Sequence, residues 1–378
     1  MITGDLRTRL LPIVARRVRR PAITGNRRLL ILQPDHLGDI ILSEPAVRLL
    51  RAMLPDWQLI AIVGPWSAEI AEMAWPVDRI VTVEFPGFSR AASSTNPLQA
   101  YAYLRRQASL LRSLGADDAV VLRDDAWWCA WLARASVGAS VVTSDDHRTR
   151  RFATITSGRS GSTHRTAVAM AIVTTYISSF GLNVDAGLWD MSPKIRLATG
   201  SEDGIERHLQ RQAIRRPRVA LHPGSGAPVK TWPVEHWKML IRSLGDFDVI
   251  LSGSTSEQPL CEAIAEGFPH ATSVAGTTTL RELASLMSTA AVAVGTDNGP
   301  MHLAGALGIP TVRLFGPSNP DRYGPWPGTR GQLVIQSGWT CPRCEDLSAG
   351  RPAGCGCMLA ITPERVFDVL RKALNRAA

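Results

Sequence analysis

The chain has 378 residues, a formal net charge of +9 and six cysteines, with 45% hydrophobic and 20% charged residues. That length exceeds the size at which one hydrophobic core usually divides, so two domains are expected, and the composition is that of a soluble globular protein. No apolar run approaches the roughly 20 residues needed to span a bilayer, and Leu10 to Ala15 is too short for a signal-peptide core, so a cytoplasmic location is expected.

The first stretch crowds Arg7, Arg9, Arg16, Arg17, Arg19, Arg20, Arg27 and Arg28 beside Leu6, Leu10, Leu11, Ile13, Val14 and Val18. A basic amphipathic segment of this kind can lie on an anionic membrane face, or be a frayed basic tail. Nucleic acid is not expected as a partner, because aromatic residues do not interleave with the basic ones. Leu29 to Gln33 then read as an apolar strand, followed by the loop Pro34-Asp35-His36-Leu37-Gly38-Asp39 and one helix-like run through Ile40, Ile41, Ala46, Val47, Leu49 and Leu50. Ligands of doubly wound folds bind at the carboxyl ends of strands, which places Asp35, His36 and Asp39 for chemistry. Asp39 could instead be a helix-start carboxylate, the commoner role for a lone Asp at such a position.

A second strand, Val120 to Leu122, ends in Arg123, Asp124 and Asp125, and Trp127, Trp128 and Trp131 follow on a predicted helix. Tryptophans at that spacing are more often core than a sugar platform. Arg148, Arg150, Arg151, Arg159, His164 and Arg165 surround a Ser/Thr/Gly-rich loop at 154–163, either an acceptor-binding loop or a surface loop. The periodic pattern lapses between Asp190 and Gly204, where a domain boundary is expected.

The strand Val219 to His222 runs into Gly224-Ser225-Gly226, with glycines expected to take positive φ and form an anion-binding nest. Lys230 stands just ahead of a helix opened by Pro233. Asp246-Phe247-Asp248 reads as a turn before the strand Val249 to Leu251, not as a metal site. Glu257 follows that strand, as a ribose ligand or a helix-start carboxylate. Farther on, Ala290 to Val294 is a buried parallel strand, Gly295-Thr296-Asp297-Asn298 a turn, and Gly299-Pro300-Met301-His302 a helix start, with Gly308 ending the helix. Free amides at that helix start, together with the helix dipole, favour a diphosphate. In the tail, Cys341 and Cys344 form a C-x-x-C pair that fits half of a structural zinc site. Cys355 and Cys357 are one residue closer than usual, so zinc and plain thiols both stay open.

Three of these segments, in this order, resemble glycosyltransferase family 9, whose best-known members are the ADP-heptose:lipopolysaccharide heptosyltransferases. The resemblance is carried by Leu37-Gly38-Asp39, by His222 to Trp237, and by Leu280 through Gly295 to Leu303 and on to Phe315-Gly316-Pro317. Asp321 to Pro325 and the tail Cys357 to Val366 extend it. It implies a GT-B fold, two Rossmann-like α/β domains facing across a cleft, here divided as a basic segment 1–28, an acceptor-side domain 29–195, a nucleotide-sugar domain 205–340 and a cysteine-bearing tail 341–378. It further implies an inverting, metal-independent transfer of heptose from ADP-heptose to a lipopolysaccharide-type or related glycan acceptor, with no catalytic cofactor; a lipid-linked acceptor would be met at the inner face of the cytoplasmic membrane, where the basic segment could lie. On this resemblance Asp39 is the base, with Asp35 its rival, and Lys230 stabilises the leaving diphosphate. Donor contacts come from Gly38, Gly224, Ser225, Gly226, Glu257, Thr296, Asp297, Asn298, Gly299, Pro300, Met301 and His302. Acceptor contacts come from Asp35, His36, Arg123, Asp124 and His164. Another nucleotide sugar, a secondary-metabolite acceptor, or nucleotide binding without turnover would keep the same motifs.

Overall fold

The computed structural model describes residues 27–85, 88, 97–158, 160–185, 187–197, 216–338 and 355–377. The chain divides between Met191 and Ser192 into two compact units. Residues 1–26 of the basic segment, Arg159, Cys341 and Cys344 lie outside the described residues.

The first unit is built on β1 (Arg28–Gln33), β2 (Gln58–Val63), β3 (Arg79–Thr82), β4 (Asp118–Val121), β5 (Val141–Ser144) and β6 (Ile155–Ser157). Every neighbouring pair is parallel, in the order β3-β2-β1-β4-β5-β6. Parallel strands need crossover connections, and crossovers on both faces bury the sheet from both sides. That is why Leu29 to Leu32 form an unbroken apolar run in which every residue is fully buried. The order reverses between β1 and β4, so the loops that leave their carboxyl ends, 34–36 and 122–126, emerge side by side.

The single helix expected after β1 is two, Leu37–Leu42 and Glu44–Met53. Pro45 has no N–H to continue the first helix, and the Ser43 hydroxyl bonds the Asp39 carbonyl (2.7 Å) and Gln33 Oε1 (2.7 Å) instead. The interruption ties the Asp39 turn to the end of β1.

The second unit repeats the plan with β7 (Arg218–His222), β8 (Asp248–Leu251), β9 (Ala271–Ser273), β10 (Val292–Thr296), β11 (Thr311–Phe315) and β12 (Gln332–Gln336). Its order, β12-β11-β10-β7-β8-β9, puts the reversal between β7 and β10. Asp246 and Phe247 turn into β8, as the sequence suggests. The closing helix, Pro363–Ala377, buries Val366, Leu370 and Ala373 in the same core as the sheet, at the three- and four-residue steps of one helix face. Among the described residues, no helix is long and apolar enough to cross a membrane.

Trp232 pins that helix to the sheet. It is fully buried, donates from Nε1 to the Ile361 carbonyl at 2.8 Å, and meets the Trp237 ring edge-on at 4.8 Å. Trp232→Phe keeps most of the apolar contact but leaves the Ile361 carbonyl without its donor, which costs about 1–3 kcal/mol. Urea unfolding should show this loss, and Trp232→Ala a larger one of about 3–5 kcal/mol.

Candidate functional site

At the β7/β10 reversal, three side chains knit the two loops together. Asn298 caps the helix Gly299–Ala306 by accepting from the Met301 amide at 3.1 Å, and its Nδ2 donates to the Gly224 carbonyl at 2.8 Å. Thr296 Oγ1 reaches the same carbonyl at 3.1 Å. Pro300 falls in the first turn, where its missing N–H is harmless, and Gly308, at φ +82°, lies just beyond the helix end.

Lys230 closes the third side. It ends the short turn Pro228–Lys230, and its ammonium donates to the Asp297 carbonyl (2.7 Å) and Oδ2 (3.2 Å). His302 Nε2 stands 3.8 Å from the other oxygen, Oδ1. Burial by itself would raise the pKa of Asp297, but His302 and Lys230 hold it well below the usual carboxylate range. The result is a buried, ionised carboxylate and a cation at a capped helix N-terminus, suited to a diphosphate and its sugar.

Gly224 and Gly226 are not among the described glycines with positive φ, which corrects the nest expected there. What Gly224 provides is room, because a Cβ would fall on the Glu257 carboxylate. Glu257 itself completes a capping box, accepting from the Ser254 amide at 2.7 Å and the Ser254 hydroxyl at 2.8 Å. Ser225 Oγ accepts from the Ala227 amide at 3.3 Å, stiffening the same loop.

The β1/β4 reversal of the first unit carries alternating charges. Asp35 is 1% exposed and ion-paired with Arg123, which also holds Asp125. The Asp35 carbonyl is fixed by Ser67 Oγ (2.7 Å) and Trp66 Nε1 (3.1 Å), and the His36 ring lies beside Trp66. Arg165, 5% exposed, lies with Nε 3.4 Å from Asp39 Oδ1 and donates from Nη1 to Asp124 Oδ1 at 2.7 Å. Burial pulls both guanidinium pKa values down. The carboxylates, Asp35 first for Arg123 and Asp39 first for Arg165, more than reverse it, so both stay charged. Gly38 and Asp39 lie in the first turn of their helix, and the Asp39 side chain is 24% exposed.

His164, 3% exposed, caps the helix Arg165–Ser178 by accepting from the Thr166 amide at Nδ1 (3.2 Å). Trp131 is core, whereas Trp127 and Trp128 are only partly buried and stack at 4.1 Å. Cys357 is buried in the second unit's core and Cys355 is half-buried against it. Among the described residues, no three His, Cys, Asp or Glu side chains group as metal ligands.

Sequence reasoning placed Arg165 only beside a candidate acceptor-binding loop, without its partners Asp39 and Asp124, and gave no site role to Gln33 or Arg313. Gln33 Nε2 donates to Asp35 Oδ2 (3.3 Å) and the Asp39 carbonyl (3.2 Å). The available signal was a polar residue closing or interrupting an otherwise apolar strand.

His222 ends β7, 5% exposed, with Nδ1 2.9 Å from Ser252 Oγ. Burial lowers its pKa from 6.5 to about 4, against the opposing charge of Glu257. The unfolded chain therefore takes up a proton near pH 6.5 that the folded one refuses until about pH 4. Stability from this group is complete above pH 6.5 and is lost as pH falls toward 4, by at most on the order of 3 kcal/mol. Urea midpoints measured between pH 7.5 and 4.5 should fall less steeply in His222→Gln than in the parent protein.

A family model described as glycosyltransferase family 9 (heptosyltransferase) matches residues 107–346. Lipopolysaccharide heptosyltransferase 2 of Escherichia coli (strain K12) is 30% identical over 167 residues, 42% of this chain and 47% of that protein, so the chain spans about half the length of this relative. Lipopolysaccharide heptosyltransferase 3 of Escherichia coli is 23% identical over 297 residues, covering 76% of this chain and 83% of that protein. The solved ADP-heptose lipopolysaccharide heptosyltransferase II of E. coli matches with a TM-score of 0.71 at 21% identity, over 92% of this chain and 98% of its own, and shares the GT-B fold. With the family model spanning well over half of the 378 residues, the chain belongs to glycosyltransferase family 9.

Proposed function

We propose that this protein is an inverting, metal-independent heptosyltransferase that moves heptose from ADP-heptose to a hydroxyl of a lipopolysaccharide-type glycan. The observation that carries the reading is the Lys230 ammonium on the Asp297 carbonyl and carboxylate, beside the capped N-terminus of the helix Gly299–Ala306. A departing nucleoside diphosphate gains negative charge, and an ammonium with oriented amides stabilises that charge without a divalent ion. The donor is taken from the name of the E. coli fold relative, ADP-heptose heptosyltransferase II, and brought here through the family.

In the proposed step, the acceptor oxygen attacks the anomeric carbon opposite the diphosphate. Its proton passes to the Asp39 carboxylate, the new C–O bond forms as the bond to the diphosphate breaks, and ADP leaves with the electron pair. Asp39 is favoured over Asp35 because Asp35 is enclosed and neutralised by Arg123, whereas the Asp39 side chain retains exposure and is oriented by Arg165. Asp297 takes the donor sugar hydroxyls. A lipid-linked acceptor would bring the protein to the inner membrane face, where the basic residues before β1 would be attracted to anionic lipid.

Calorimetric titration with ADP, UDP and GDP, without metal and then with Mg²⁺, tests the donor half. ADP alone should bind, with or without the ion. Preference for another nucleotide, or binding that needs Mg²⁺, would overturn that half. Asp39→Asn should lower turnover about 100-fold or more while leaving ADP affinity within about twofold. Lys230→Met should weaken ADP binding about 10- to 100-fold, the range of a lost charge-assisted hydrogen bond. Parent-level turnover in Asp39→Asn would remove it as the base.

A further inference from the structure

Arg313 lies in the middle of β11 and is 3% exposed. Its polar contacts are neutral: Nη1 lies 3.1 Å from His302 Nδ1, Nη2 donates to Gln332 Oε1 at 2.9 Å, and Nε donates to Thr311 Oγ1 at 3.2 Å. A buried guanidinium facing neutral acceptors is costly, and apolar residues fill such a space more cheaply. The surroundings are nevertheless shaped to receive it. Gly305 leaves the helix Gly299–Ala306 without a side chain where a Cβ would fall on Arg313 Nη2 and come within 2.6 Å of Gln332 Oε1, and glycine inside a helix costs about 0.5–1 kcal/mol. Gln332 is itself held, donating to the Ile309 carbonyl at 2.8 Å and accepting from Thr311 Oγ1 at 2.7 Å.

A guanidinium only donates, so the nitrogen facing it, His302 Nδ1, must accept and carry no proton. In the neutral ring the proton then sits on Nε2, the atom 3.8 Å from Asp297 Oδ1. We infer that Arg313 is a positioning residue for the donor site: it fixes His302 as the neutral Nε2–H tautomer, so that Asp297 stays paired with Lys230 and open to the donor sugar instead of being taken up by an imidazolium. This rests on the donor reading of Lys230 and Asp297. Burial lowers the Arg313 pKa to about 10, with Asp297 opposing, so Arg313 itself stays charged at neutral pH.

Among the described residues, the charged groups around His302 are as follows. Its helix packs on β10, β11 and the helix Leu280–Ser288. β10 leads into Asp297, with Lys230 behind it, and β11 brings Arg313. The helix Leu280–Ser288 carries Glu282, committed to capping Thr279, and Arg281, which is exposed.

The test is nitrogen-15 NMR of the histidine rings in the intact, ligand-free protein, with ADP titrations at pH 6, 7 and 8 alongside. In the parent protein His302 should stay neutral with its proton on Nε2 across that range. Removing the like charge in Arg313→Met should raise the His302 midpoint by about 1 unit or more. The ADP affinity of Arg313→Met relative to the parent should then rise as pH falls, because a protonated His302 takes up Asp297 and releases the Lys230 ammonium. Arg313→Lys should restore the neutral ring. Gly305→Ala, which displaces the guanidinium without deleting it, should reproduce Arg313→Met and serves if that variant does not fold. An unchanged His302 midpoint in both displacing variants, or an Nδ1–H tautomer in the parent, would overturn the inference. Parent protein that binds no ADP while the NMR behaves as described would instead overturn the donor reading.

Discussion

Consecutive parallel strands require crossovers, and a crossover can pass over only one face of the sheet. Where successive crossovers leave for opposite faces, the carboxyl ends of two neighbouring strands stay uncovered. The second unit meets this at β7 and β10, and nearly every polar group of its candidate site descends from it. The exposed loops need partners for their own carbonyls, and Asn298 and Thr296 supply two of them at Gly224. The same tie aligns the first turn of the helix Gly299–Ala306, so that preorganisation of the cradle and satisfaction of the backbone are one event. The first unit meets the constraint at β1 and β4 and answers it with Gln33, Ser43 and ion pairs.

The two reversals differ in how they handle charge. In the first unit the two cations at the reversal face carboxylates: Arg123 between Asp35 and Asp125, Arg165 between Asp39 and Asp124. Such pairing offsets desolvation and, with four carboxylates against two guanidiniums, leaves the loop net negative, which would suit the proposed removal of a proton from an acceptor hydroxyl. In the second unit Lys230 and Arg313 flank a single carboxylate, with His302 between Asp297 and Arg313. The Lys230 ammonium, beside the capped helix start, is the charge that the proposed diphosphate would meet.

Much of the architecture was legible because apolar runs of four or five residues ended in turn chemistry and were followed by helical periodicity. Leu29 to Gln33, Val219 to His222 and Ala290 to Val294 all read this way, although the last strand runs from Val292 to Thr296 and takes in two residues that read as turn, and Pro300 and Gly308 bracket a helix without reference to anything distant. The glycines at 224 and 226 were readable as special, but the reason was not. Local sequence points to positive φ, whereas the demand on Gly224 comes from Glu257, 33 positions away on another loop. Ser43 was passed over for a similar reason, since a helix break set by Pro45 resembles a continuous amphipathic run when only apolar spacing is counted. Partnerships such as Arg165 with Asp39 join residues far apart in the chain, and no local pattern encodes them.

Arg313 marks the limit of pattern reading most clearly. In Thr-Val-Arg-Leu-Phe a lone arginine breaks an otherwise apolar strand, a conflict between local pattern and burial that calls for a reason outside the strand. The reason is a chain of groups each of which constrains the next. Gly305 admits the guanidinium, the guanidinium dictates which ring nitrogen of His302 is bare, and the other nitrogen then faces Asp297. A charge that only donates, held at the far end, sets the protonation of a ring in the middle, and so the electrostatics of a carboxylate it does not touch. The stability sacrificed by burying Arg313 and by placing glycine inside a helix is thus explained by what it does to the site, where no local interaction of either residue explains it.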